Sequence, residues 1–168
     1  DIELERGNTQ QAKKYYEQIA KLLSRAQQKE SDKAKFSLAM MEYYQGRTDS
    51  AKTLLAFLAS KTESDIANDA LSFIMLFEDN EDTPVCLQLY GKMEYARIRK
   101  DIKDLEQFYK QIEGACPKSD ILEKATLEYA KSLYFHRRFS EAESILRRFV
   151  LEYDESIYGD VALSLLGD

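Results

Sequence analysis

Tryptophan is absent from the 168 residues, and proline occurs twice, cysteine twice, histidine once and glycine six times. So little proline and glycine excludes collagen-like and linker-like sequence and leaves room for long uninterrupted helices. Two cysteines in a chain of this length are not the disulfide framework of a small secreted domain. A single imidazole cannot supply a multi-histidine metal site. Positive charge is in deficit, with 24 Lys and Arg against 30 Asp and Glu, and a net charge of -6 repels a phosphate backbone, so nucleic acid is not expected as a partner. No apolar run approaches the roughly 20 residues that span a bilayer. Asp1-Ile2-Glu3 lacks the basic and apolar regions of a signal peptide, so no membrane insertion of this segment is expected.

Chemical motifs are missing as well. Neither Gly-x-Gly-x-x-Gly nor Cys-x-x-Cys occurs, and Gly91-Lys92 has neither the upstream glycine nor the following Ser or Thr of a phosphate loop. The acids from Glu78 to Asp82 lack the glycine and terminal glutamate of a calcium loop and read as a solvated break. His136 lies among basic residues with no carboxylate at a motif spacing, which favours a solvated turn residue over a catalytic base. The expectation is a chain without catalysis, cofactor or metal.

What is present is helical periodicity. Residues 119–168 show it best: Tyr129-Ala130 and Leu133, a turn at His136-Arg137-Arg138, then Phe139, Ala142, Leu146 and Phe149 as a second apolar stripe. That spacing describes two helices packed face to face. Upstream, Ala12, Tyr16, Ile19, Leu22, Leu23 and Ala26 mark a helix over residues 7–26, and Ser31 or Asp32 is expected to cap a helix that ends near Tyr44. Gly46-Arg47-Thr48-Asp49-Ser50-Ala51 repeats the earlier Gly7-Asn8-Thr9-Gln10-Gln11-Ala12, and Leu55 and Leu58 continue the stripe. Ser64 is expected to cap a further helix with Ala70, Leu71 and Ile74 on its buried side, and Pro84 is expected at the first position of the helix after the acidic break. Leu105, Tyr109 and Ile112 mark another, from Asp101 to near Gly114, and Ser156 opens the last.

Two offsets quantify the repetition. Ser64, Ser119 and Ser156 each precede an alanine by six residues, at separations of 55 and 37, while Leu105 to Ala142 is 37 and Ala12 to Ala51 is 39. Such periods fit a two-helix repeat. The larger interval leaves about one helix too many between residues 64 and 100, and a bend is expected near residues 78–84.

These residues resemble tetratricopeptide repeats, whose pattern is a large-small couplet, a large residue, a turn, then alanine and an aromatic. The places are taken by Tyr129-Ala130, Leu133, Phe139, Ala142 and Leu146, and earlier by Leu38-Ala39, Ala51 and Leu55. The stretch from Phe149 through Tyr153-Asp154-x-Ser156 to Leu166-Gly167 is similar to the bacterial branch that includes the Tol-Pal-associated periplasmic coordinator and the outer-membrane barrel-assembly lipoprotein, with Asp154 where that link has proline. The resemblance implies an all-α fold, a right-handed α-α superhelix of about nine helices. Its divisions would be 1–29 as the second helix of a truncated repeat, 31–62 as a repeat, 64–82 as the extra helix and acidic break, 83–117 and 119–154 as repeats, and 156–168 as the first helix of another. It further implies a bacterial scaffold that binds a protein or peptide partner, with the periplasm or cell envelope favoured over the cytoplasm.

In such a fold the first helices of the repeats line a concave groove, which places Phe36, Met40, Tyr43, Tyr44, Tyr90, Glu94, Arg97, Lys131 and Tyr134 as candidates for partner binding. Tyrosine and arginine suit that role because they bury a large area at modest entropic cost. Tetratricopeptide clamps for C-terminal acidic tails are not expected, because the required places hold Phe36, Met40, Gly91 and Glu128.

Three lesser expectations follow. Helices 84–99 and 102–116, folded as a hairpin, set Cys86 opposite Cys116, close enough to allow a disulfide only if the helices approach unusually near. Basic residues at Arg6, Arg47, Arg99-Lys100 and Arg137-Arg138, alternating with acids at the other turns, match the helix dipole. Helices unpartnered at both ends would expose Tyr15, Tyr16 and Ile19, and Leu163, Leu165 and Leu166, and so favour association of copies, the alternative being a structural or self-assembling module or a non-catalytic part of a larger protein.

Overall fold

The computed structural model describes residues 2–21, 28–61 and 65–167, with the backbone alone at Gln28 and Asp65, and among these described residues there are ten helices. They are α1 (Ile2–Glu5), α2 (Thr9–Ala20), α3 (Gln28–Tyr44), α4 (Thr48–Ala59), α5 (Asp65–Asp79), α6 (Pro84–Ile98), α7 (Ile102–Ala115), α8 (Asp120–Phe135), α9 (Phe139–Glu152) and α10 (Gly159–Gly167). No strand occurs among the described residues. The Leu22, Leu23 and Ala26 stripe and the Ser64 cap lie outside them. The helix beyond the expected nine is the short α1, ahead of the turn in residues 1–29, a stretch expected to hold only the second helix of a repeat.

The chain forms two compact units, residues 1–91 and 92–168, with the division falling inside α6. In the first unit α2 packs on α3, α3 on α4 and α4 on α5, with α3 also touching α5. In the second, α7 packs on α8, α8 on α9 and α9 on α10. Within each unit these pairings join mainly helices that are neighbours in the chain, a layering consistent with a helical solenoid.

The turns show why the sequence repeats. Gly7, Gly46, Lys100 and Arg137 all have left-handed backbone, with φ of 80, 78, 57 and 60°. Each closes the same pair of hydrogen bonds: its own N–H reaches the carbonyl three residues back, and the next N–H reaches the carbonyl five back. In the second turn these are Gly46 to Tyr43 at 2.8 Å and Arg47 to Glu42 at 2.9 Å; in the fourth, Arg137 to Tyr134 and Arg138 to Leu133, both at 2.9 Å. This double closure satisfies the last carbonyls of the helix and reverses the chain. Five residues beyond each left-handed position sits a buried side chain, Ala12, Ala51, Leu105 or Ala142. From the last three the core stripes run as Ala51, Leu55 and Leu58; Leu105, Tyr109 and Ile112; and Ala142, Leu146 and Phe149, all buried.

Several boundaries differ from expectation. α3 begins before Ser31 and Asp32, which are therefore not caps: Ser31 Oγ donates to the Ala20 carbonyl at 2.9 Å, and Asp32 pairs with Lys61. Ser156 does not open a helix either. α10 starts at Gly159, and Ser156 Oγ instead accepts the Tyr158 N–H at 3.1 Å and bonds Glu123 in a turn. Leu165 and Leu166, expected to be exposed, pack against the cluster of Leu127, Ala130, Leu146, Phe149 and Ala162; Tyr16 is half-buried, while Tyr15, Ile19 and Leu163 are exposed.

The acidic break is a tight turn held by buried Asn80, whose amide donates to the Leu76 carbonyl at 2.9 Å, and α6 starts on Pro84. Cys86 and Cys116 are both disulfide-bonded and buried. Among the described residues no helix is long and apolar enough to cross a membrane.

Candidate functional site

The nine groove candidates separate by unit and by burial. In the first unit Tyr43 is wholly buried, its ring 5.0 Å from Phe77 and 6.1 Å from Phe73, and Met40 and Tyr90 are nearly as inaccessible. These three are interior side chains and cannot meet a partner without unpacking the core. At Tyr43 the reason is Gly91, which lets α6 approach α3 so closely that a Cβ on it would lie 3.0 Å from two ring carbons of Tyr43. Tyr44 is half-buried at 5.8 Å from the Tyr43 ring, and Phe36 is half-buried edge-on to Phe73 at 6.0 Å.

In the second unit Tyr134 is also structural. Its hydroxyl donates to the Leu165 carbonyl at 3.0 Å, and its ring sits edge-on to Phe139 at 5.4 Å, fastening α8 to α9 and α10. The remaining three candidates, Glu94, Arg97 and Lys131, come together. Arg97 Nε lies 3.3 Å from Glu94 and 3.6 Å from Glu128, and Lys131 Nζ lies 2.8 Å from Glu128. This chain of alternating charge joins α6 to α8. Burial pushes the Glu94 carboxyl above its ordinary range, Arg97 opposes that, and the charge of Glu128 adds to it.

Arg97, Glu128 and Lys131 border a cleft of about 260 Å³ between the end of α6, the start of α7 and the last turns of α8. Its apolar wall is Ile102, Leu105 and Phe135, and Lys100, Ser132 and His136 complete the lining. Phe135 follows the buried stripe of α8 but falls off it, so its ring is exposed at 66%. Lys100 holds its ammonium 5.7 Å from the centre of that ring. His136 ends α8 with Nδ1 2.8 Å from the Ser132 carbonyl. A carbonyl only accepts, so Nδ1 carries the proton and Nε2 is left for another partner.

Among the described residues Lys100 has no carboxylate partner, whereas Arg97 is held by two glutamates and Lys131 by one. The cleft therefore combines a greasy wall with an unneutralised ammonium. Sequence reading took Lys100 and His136 for ordinary turn residues and did not single out Phe135. The available signal was a large aromatic one place outside the apolar stripe, directly before a turn rich in cations.

No family model matches the chain, and neither any curated protein nor any solved structure matches it.

Proposed function

We propose that this chain is a non-catalytic helical-repeat module that binds a segment of a protein partner in the cleft between α6, α7 and α8. The observation that carries the reading is the exposed Phe135 ring beside Lys100 and Lys131, an aromatic anchor with charges at its rim. At about 260 Å³ the cleft is smaller than the 300–1,000 Å³ usual for a cofactor or drug-sized molecule, and it suits one or two side chains of a peptide. The test is a random peptide library displayed on phage and selected on the intact chain. Selected peptides should bind in the micromolar range and lose about tenfold affinity to Phe135→Ala; peptides indifferent to that change would refute the cleft as the site.

A second reading, association of copies, is favoured by Leu151 and Ile157, exposed at 82% and 84%. Sedimentation velocity at high concentration should then show a dimer that Leu151→Asp with Ile157→Asp dissolves; a monomer at all concentrations removes it.

A further inference from the structure

Resting on the cleft reading above, we infer that the segment recognised there carries a single side-chain carboxylate, an Asp or Glu, beside a bulky apolar residue. The apolar residue lies on Phe135, Ile102 and Leu105, and the carboxylate meets Lys100, with Lys131 nearby in the lining.

The first argument is backbone strain. All four turns of this class need a left-handed residue; Gly7 and Gly46 fill two of them, the residue type that adopts this conformation without strain, while Lys100 stands at φ 57°. Arg137 fills the fourth at φ 60° and does not line the cleft; of these two cations it is Lys100 whose side chain lies over the cleft's aromatic wall. The second argument is charge. Arg97 and Lys131 are already engaged by Glu94 and Glu128, so the unmatched positive charge is Lys100, enough for one carboxylate. A phosphate, with nearly two negative charges, would be repelled by Glu128 in the lining and would call for a free arginine fork, which Arg97 does not offer. A C-terminal carboxylate ordinarily takes backbone or side-chain amides as further donors. Here Asp101 already caps the first turn of α7, accepting the Asp104 N–H at 3.1 Å, and no Asn or Gln lines the cleft.

The test titrates the full ¹⁵N-labelled chain with short peptides blocked at both ends. One has Asp-Phe at its centre, one Asn-Phe, one Asp-Ala and one phosphoserine-Phe; a fifth ends in Phe with a free carboxylate and no acidic side chain. Asp-Phe should shift the amides of Lys100, Lys131, Phe135 and His136, and the Asn-Phe and Asp-Ala peptides should bind about three- to fivefold more weakly. Lys100→Gly should melt no lower than the parent, because glycine is at ease in this turn, and should bind Asp-Phe and Asn-Phe alike. Equal binding of Asp-Phe and Asn-Phe to the parent would overturn the carboxylate and leave the cleft reading standing. Preference for the phosphopeptide or the free terminus would overturn the choice of anion. Discrimination that survives Lys100→Gly would overturn the role of Lys100. Absence of any shift at the cleft with all five peptides would overturn both this inference and the proposed site.

Discussion

Replacing Glu42 tests whether the two-helix repeat tolerates charge inside its hairpin. Glu42 is buried, yet it receives Lys13 Nζ at 2.9 Å from α2 and the Arg47 guanidinium from the following turn. The Arg47 hydrogen bond, with Lys13 assisting, lowers its carboxyl from 4.5 to about 2. At 1.36 kcal/mol per pH unit that fall corresponds to about 3 kcal/mol. Lys13 and Arg47 are 36% and 45% exposed, so solvent screening reduces the expected contribution to about 1–2 kcal/mol. Because the folded value lies below the unfolded one, the stabilisation is complete above pH 4.5 and disappears as pH falls towards 2. Urea unfolding of the parent and Glu42→Gln should differ by about 1–2 kcal/mol at pH 7, and the two should converge between pH 4.5 and 2. Glu42→Leu gives the sharper result. In the same place of the second unit's two hairpins stand Ala96 and Leu133, both fully buried, so leucine fits the packing, and buried ion pairs often exchange for apolar side chains without loss. It should unfold within about 1 kcal/mol of the parent and be more stable than Glu42→Gln. A leucine variant weaker than the glutamine variant, or a gap between parent and Glu42→Gln that persists at pH 2, would refute the reasoning.

Arg137→Gly should raise the melting temperature by about 2–4 °C, the effect of relieving about 1 kcal/mol at φ 60°, and calorimetry reads it directly. Gly91→Ala should destabilise by about 1–2 kcal/mol in denaturant unfolding despite alanine's better helix propensity, because the new methyl meets the buried Tyr43 ring at 3.0 Å and its carbonyl at 3.2 Å. Tyr109 and Tyr129, stacked at 4.5 Å, are pushed up to about 12, chiefly by burial, so two tyrosines should stay protonated in a spectrophotometric titration well past pH 10. Their unfolded counterparts release protons first, so stability should fall as pH rises above 10.

The hairpins were legible because each carries its turn and its stripe close together in sequence. Gly46 followed by Ala51, Leu55 and Leu58 is a local signal, and the same offsets recur from Arg137 through Ala142 to Phe149. Boundaries decided by distant partners were not. Ser31 and Asp32 look like caps, but a carbonyl of α2 and a lysine after α4 hold them inside α3. Leu165 and Leu166 look unpartnered only until α8 and α9 are folded beneath them.

The groove candidates fared unevenly for a related reason. Helical periodicity says which residues share a face, but it does not say how closely the next helix approaches that face. At Tyr43 the approach is set by the missing Cβ of Gly91, which turns a groove tyrosine into core; at Arg97 and Lys131 no such contact occurs, and the face stays open beside the cleft. The cleft itself arises from the turns rather than the stripes. Where the first unit closes its hairpins with glycine after Glu3 and Glu42, the second closes them with Lys100 and Arg137 after Ala96 and Leu133. One fold position thus trades a relaxed backbone and an ion-paired glutamate for a strained cation above an apolar residue. That exchange places an unpaired ammonium next to Phe135. It could be read from the sequence only once the four turns were known to be equivalent, because lysine and glycine share no propensity that would align them.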